Sequence, residues 1–263
     1  MARILTFASG KGGVGKTTLV ANIGIALAQA GKRVLLIDAD ISMANLSLIL
    51  GMESSPITIN DVLKGEATMD DVVYKGPGGV EIIPASLALQ DFKKLDISQI
   101  PKQVHLIADK YDFVILDCAA GIGEDTLSAM STANEVFLVI NPYSLSIADA
   151  LKTKITAQRI NAKAVGIIVN MVGNFKGEIS EEEIIKMMEL PNYGIIPFNE
   201  EVRKTFFYKK INPIVLRYPK NPVTLAIKQT VEKILGKEVE IKRPKKGIFG
   251  WFKNIFSKNN RGE

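Results

Sequence analysis

Ser9-Gly-Lys-Gly-Gly-Val-Gly-Lys-Thr-Thr18 lies between an apolar run, residues 4–8, and a stretch of helical character, residues 17–30. Gly10, Gly15, Lys16 and Thr17 match the spacing GxxxxGK[ST], and a strand before the motif with a helix after it is the context this spacing requires. Such a loop turns consecutive backbone N–H groups, with the positive end of the helix behind them, toward the phosphates of a nucleotide. Gly12, Gly13 and Gly15 let the main chain approach without a Cβ, so Gly10 to Thr18, Val14 included, forms the expected cradle. Lys16 is expected at the β- and γ-phosphates, and the Thr17 hydroxyl at Mg²⁺. A second lysine, Lys11, stands five residues earlier. Its side chain should turn away from its own nucleotide toward whatever faces the site. A cation there is useful when a neighbouring subunit supplies it, because phosphoryl transfer develops charge that a lysine in trans stabilises. That spacing asks for a face-to-face dimer.

Apolar runs recur along the chain at residues 4–8, 34–37, 80–83, 113–116, 136–140, 165–169 and 194–196, separated by helical stretches that include 17–30, 145–160, 180–189 and 222–235. Continuous rather than alternating hydrophobicity marks strands buried on both faces. The expected fold is therefore α/β: one P-loop domain, residues 1–236, with a doubly wound, mostly parallel sheet flanked by helices. Ser180-Glu-Glu-Glu183 reads as a capping box opening the third of those helices. Two strands end in carboxylates, Asp38 and Asp117, which puts both at the carboxyl edge of the sheet where such folds bind ligands. Asp117 is the candidate Walker B carboxylate for Mg²⁺, with Asp38 assisting it or simply capping the next helix. Asp40, just beyond its strand, is placed to orient the attacking water.

The longest apolar runs are far below the roughly 20 residues a membrane-spanning helix needs, and the N-terminus enters a strand without a secretory signal pattern. A cytoplasmic location is expected. A single cysteine, Cys118, forms no intrachain disulfide and is too few for a thiolate metal site. His105, in a stretch of helical character at 102–110, has no neighbouring cluster and reads as a surface residue. The net charge of +5 is uneven: residues 242–263 carry +6, so the other 241 sum to −1. A near-neutral body with a basic tail argues against a broad nucleic-acid surface and for a local role at the C-terminus.

Lys11 to Thr18, together with Asp38-Ala-Asp-Ile-Ser-Met-Ala-Asn-Leu-Ser-Leu-Ile-Leu-Gly51, Asp117-Cys-Ala-Ala-Gly121 and Asn141-Pro142, resembles the deviant Walker A motif, two switches and following segment of the MinD/ParA ATPases, with the MinD branch the nearer. The resemblance spans essentially the whole chain. It implies ATP and Mg²⁺ as cofactors, a homodimer formed with ATP, Lys11 acting on the opposite subunit's nucleotide, and Asp40 serving the hydrolytic water. It also implies that Asn170, with Pro197 in the same region, reads the adenine. Ala44, Ser47, Cys118-Ala119 and Ala148-Asp149 depart from typical bacterial members near the switches and the expected partner face. P-loop relatives that carry iron–sulfur clusters or tail-anchored proteins use two or more cysteines per chain, so the single Cys118 argues against them. A ParA-type DNA-partitioning ATPase is the alternative, disfavoured by the near-neutral body.

Residues 237–247 read as a basic linker rich in proline, glycine and like charge. In residues 248–258, apolar Ile248, Phe249, Trp251, Phe252, Ile255 and Phe256 fall on one arc of a helix, with Gly250, Lys253, Asn254, Ser257 and Lys258 on the other. This amphipathic segment docks either on protein or in a membrane interface, and aromatic richness beside concentrated positive charge favours an anionic membrane surface. MinD-type proteins end in such a membrane-targeting helix. The expectation is a peripheral membrane location at the cytoplasmic face in the ATP-bound state, in service of division-site selection or polar positioning of a regulator or cargo protein.

Overall fold

β-branched and aliphatic runs too long to expose form the strands of a computed structural model that describes residues 1–52, 55–87, 95–173, 175–207 and 212–237. The strands are β1 (Arg3–Ala8), β2 (Val34–Ala39), β3 (Tyr74–Lys75), β4 (Glu81–Ile83), β5 (Phe113–Cys118), β6 (Glu135–Ile140), β7 (Ala164–Val172) and β8 (Asn192–Pro197). The α-helices are α1 (Lys16–Gln29), α2 (Leu46–Ile49), α3 (Ile59–Leu63), α4 (Ile100–Ala108), α5 (Glu124–Thr132), α6 (Ser144–Arg159), α7 (Glu181–Met188), α8 (Glu200–Thr205), α9 (Ile214–Arg217) and α10 (Pro222–Ile234). Among the described residues none of them is long and apolar enough to cross a membrane.

The strands make one sheet in the order β3-β4-β2-β5-β1-β6-β7-β8. All neighbours are parallel except β3 and β4. The chain leaves β1 through α1 toward β2, passing over β5, and leaves β5 through α5 toward β6, passing over β1. Crossovers that diverge from the centre open a crevice at the carboxyl ends of the central strands. The P-loop sits there, directly after β1.

Side chains of successive strand residues point to opposite faces, and each face carries its own core. Leu5 and Phe7 of β1, with Phe113 and Ile115 of β5, pack under α1, α2, α9 and α10. Ile4 and Ala8, with Val114 and Leu116, pack under α3 to α7. Phe7 stacks on Phe137 with ring centroids 5.4 Å apart, tying β1 to β6 immediately before the P-loop.

The seven expected strands and four expected helices all form, with ends shifted by at most three residues. Both carboxylates, Asp38 and Asp117, lie within their strands, one residue before the end. The capping box at Ser180 and Glu183 forms reciprocally. β3 escapes a pattern search because two residues show no period, and it pairs antiparallel with β4 at the sheet edge. His105 lies on the exposed side of α4, its Nδ1 2.6 Å from the Pro101 carbonyl. The amphipathic segment 248–258 and all of the linker but Lys237 lie outside the described residues.

Candidate functional site

Strand periodicity decides where the acidic side chains go. In β2, Val34 and Leu36 face α1, so Asp38 does too; in β5, Phe113 and Ile115 face α1, and Asp117 follows them. The two aspartates are register partners across the parallel β2–β5 pair. Lys16 is the first residue of the helix that covers this face, which delivers its amine to the same spot.

Lys16 Nζ lies 3.3 Å from Asp117 Oδ1 and donates to the Cys118 carbonyl. Both Lys16 and Asp117 are buried. The Thr17 hydroxyl also bonds Asp117. Burial alone would depress the Lys16 ammonium, yet the attraction of Asp117, Cys118 and Asp40 outweighs it and holds the amine protonated. Burial raises the carboxyl of Asp117, against the pull of Lys16. Asp38 is raised well above the usual carboxylate range, by burial first and by the like charge of Asp117 second. Asp40, half-buried, is raised by burial against the pull of Lys16, and its Oδ1 accepts the Met43 N–H at 3.0 Å.

Lys16, Thr17 and Asp40 border a cavity of about 650 Å³ walled by the P-loop on one side and by Asp40, Ser42, Met43 and Asn45 on the other. Gly15 caps α1 in the left-handed conformation at φ 89°, and a Cβ there would come 2.4 Å from Asn170 Nδ2. Gly12 and Gly13 face open space, with nothing within 4 Å of where a Cβ would stand. Gly10 plays a different part from its neighbours. It does not line the cavity, and its Cβ would meet the Asp149 backbone of α6 at 2.4 Å, so it lets the loop lie against that helix. Val14 is buried in the α1-side core and contributes only its backbone to the loop.

A second, apolar cavity of about 240 Å³ continues from the first past Gly15 and Thr18. Asn170, Pro197, Leu19, Ile196 and Ile227 line it, so the structure brings Asn170 and Pro197 together beside the P-loop. Asn170 Nδ2 donates to the Val14 carbonyl at 2.7 Å, and Asn141 Nδ2 donates to the Asn170 carbonyl at 3.0 Å. Phe206 borders both cavities, a position that only the path of the chain after β8 creates and that no local motif announces. Lys11 sits at the rim of the larger cavity with its amine 4.6 Å from the centre of the Tyr143 ring, at the start of α6.

Thr17, Asp117 and Asp38 supply hard oxygen atoms of the kind Mg²⁺ prefers. No group of three or more acidic, histidine or cysteine side chains able to hold a metal occurs among the described residues. That donor set suits a cation carried in with a phosphate and its own waters, and the open space over Gly12 and Gly13 suits the phosphate.

A P-loop after a central parallel strand, two strand-end carboxylates and an adjoining apolar cavity define a nucleotide-binding protein of the P-loop class. A family model described as an AAA domain matches residues 2–165. An uncharacterised ATP-binding protein of Methanocaldococcus jannaschii is 41% identical over 260 residues, covering 95% of this chain and 98% of its own. The septum site-determining protein MinD of Pyrococcus horikoshii, complexed with Mg-ADP, superposes with a TM-score of 0.85 at 33% identity, covering 89% of this chain and 96% of its own. A chain of the MinC:MinD cell division protein complex of Aquifex aeolicus gives a TM-score of 0.82 at 34% identity, covering 92% and 99%. The chain belongs to the MinD/ParA family of P-loop ATPases.

Proposed function

We propose that this protein is an Mg²⁺-dependent ATPase that pairs face to face when ATP is bound, rests on an anionic membrane surface through residues 248–258, and leaves it on hydrolysis. The observation that carries the reading is the convergence of Lys16, Thr17 and Asp40 on one cavity that opens into an apolar pocket beside Asn170, with Asp117 against the Lys16 amine. Triphosphate fits the polar part and a base the apolar part. MinD of Pyrococcus horikoshii, with Mg-ADP, supports the nucleotide and the metal.

In this reading the P-loop amides from Gly12 to Lys16 hold the β- and γ-phosphates, and Gly10 seats the loop on α6. The Lys16 ammonium, kept charged by Asp117, neutralises the oxygens of the transferring group. Thr17 and Asp117 would hold Mg²⁺, which would supply charge neutralisation to the phosphates, with Asp38 as the register neighbour of Asp117 on the loop side. Asp40 orients a water whose oxygen bonds the γ-phosphorus as the bond to the β–γ bridging oxygen breaks, giving ADP and phosphate. Lys11, resting on Tyr143 at the rim of the cavity, swings to the partner subunit's phosphates and makes the dimer ATP-dependent.

Dimerisation then governs membrane residence. Each cation near an anionic surface contributes about 1 kcal/mol, and the apolar side chains must also offset the ordering of their segment. One tail is a weak anchor, whereas two tails in one dimer gain an avidity of about 10²- to 10⁴-fold. The cellular task that fits is positional: division-site placement, or polar placement of a cargo protein. The MinC:MinD cell division protein complex supports a protein partner, here a regulator or cargo.

Lys11→Ala tests the scheme. The variant is expected to bind ATP as the wild type does, to stay monomeric by sedimentation, and to lose ATP-dependent pelleting with vesicles containing phosphatidylglycerol. ATP-dependent pelleting at wild-type level would refute the dimer switch. A salt-sensitive shift of duplex DNA by the ATP-loaded wild type, with no vesicle binding, would instead support a DNA-partitioning role.

A further inference from the structure

Asp38 is 0% exposed, and both of its carboxylate oxygens are already taken by the backbone of the loop it precedes. Oδ1 accepts the Asp40 N–H at 3.2 Å and Oδ2 accepts the Leu46 N–H at 3.1 Å. The two donors lie six residues apart, at either end of the segment that forms the outer wall of the larger cavity. Leu46 is the first residue of α2, and Asn45, which holds the capping position, makes no side-chain cap; its amide is turned to the Met43 carbonyl at 2.6 Å instead. Asp38 therefore does for α2 what its neighbouring capping residue does not.

From this geometry we infer that Asp38 is a positioning residue: one buried carboxylate staples residues 40–46 across both ends and so sets where Asp40 stands, rather than binding the metal itself. Asp38 is fully buried, does not line the larger cavity, and bonds only the Asp40 and Leu46 amides, so its contacts run to the loop backbone and none to Lys16 or Thr17. Asp117 has no such commitment to loop backbone; its partners are the side chains of Lys16 and Thr17, which themselves belong to the phosphate site. The two aspartates are register neighbours with divided duties, Asp117 toward the phosphates and Asp38 toward the loop. Asp40 is then held indirectly: its own N–H by Asp38 and its carboxylate by the Met43 N–H, within a loop whose two ends meet on one side chain.

This inference deepens the ATPase reading and rests on it for the role of Asp40, but its test does not depend on turnover. Hydrogen–deuterium exchange of the full-length protein, free of nucleotide and Mg²⁺, is compared for wild type, Asp38→Asn and Asp38→Ser. Asparagine keeps the volume and one acceptor oxygen, and serine keeps a smaller one, so a fold intolerant of one substitution still leaves the other to be read. The expected result is exchange at least about 10-fold faster in the peptide covering residues 38–50, with the sheet strands at wild-type protection. In parallel, the Mg²⁺ concentration for half-maximal binding of a fluorescent ADP analogue should stay within about 2-fold of wild type in Asp38→Asn and rise at least about 10-fold in Asp117→Asn. Wild-type exchange across 38–50, or an Mg²⁺ requirement in Asp38→Asn shifted as far as in Asp117→Asn, would overturn the assignment. Were the protein to lack ATPase activity altogether, the exchange result would stand unaltered.

Discussion

Asp38 and Asp117 side by side make the centre of this site a place of opposed electrostatic demands. The folded protein holds a proton on Asp38 at pH values where the unfolded chain, with an ordinary carboxyl near 3.8, has released it. Stability from this group is thus highest at low pH and falls as pH climbs through the raised value, with a slope of up to about 1.4 kcal/mol per pH unit inside that window. Asp38→Asn removes the titration. Urea denaturation between pH 4.5 and 8 should give a wild type that loses stability relative to this variant as pH rises; parallel profiles would contradict the assigned shift. Asn170 makes a second expectation possible. Its Nδ2 is committed to the Val14 carbonyl, which leaves Oδ1 as an acceptor, and an acceptor pairs with the exocyclic amine of adenine but opposes the O6 of guanine. If Asn170 reads the base as proposed, ATP should bind about 5- to 150-fold more tightly than GTP, and competition with a fluorescent ADP analogue measures the ratio.

The P-loop is built as an element with two unlike sides. Gly10 is pressed against the backbone of Asp149 in α6, while Gly12 faces unoccupied space. Gly10→Ala should therefore force α6 and the loop apart and destabilise the fold by about 1–3 kcal/mol, read as a lower denaturation midpoint. Gly12→Ala should leave the midpoint of the ligand-free protein near wild type and weaken nucleotide binding, because its methyl group enters the volume the phosphates need. An equal loss of stability in both variants would show that this division of labour is wrong. Tyr143, which caps the start of α6 and on whose ring the Lys11 amine rests, connects the packing of the loop to the lysine that the dimer would use.

Over the folded body and its extension together, charge and hydrophobicity are partitioned. Residues 242–263 carry a net +6, against −1 for the other 241. Removal of residues 247–263 is expected to leave the melting temperature and ATP binding at wild-type values while abolishing co-sedimentation with anionic vesicles. Membrane binding of the intact protein should weaken as salt rises from 0.05 to 0.5 M, on the order of the screening expected for surface charge. Vesicle binding retained by the truncated chain would place the lipid contact on the body.

Local chemistry made much of this protein legible in advance. The P-loop is contiguous, and its glycines and the Lys16 side chain are set by backbone geometry written in adjacent residues. The seven buried strands announce themselves as unbroken apolar runs, and the two carboxylates are placed by the alternation of side chains along a strand. What required the folded chain lies in contacts between residues far apart in number. That Gly10 packs against α6 follows from the approach of Asp149. That Phe206 borders both cavities follows from how the chain returns after β8. That Asp38 accepts from the amides of both Asp40 and Leu46 follows from how the loop after β2 folds back. Periodicity and motif spacing report the face on which a side chain lies; only packing between elements decides which of its possible partners reaches it.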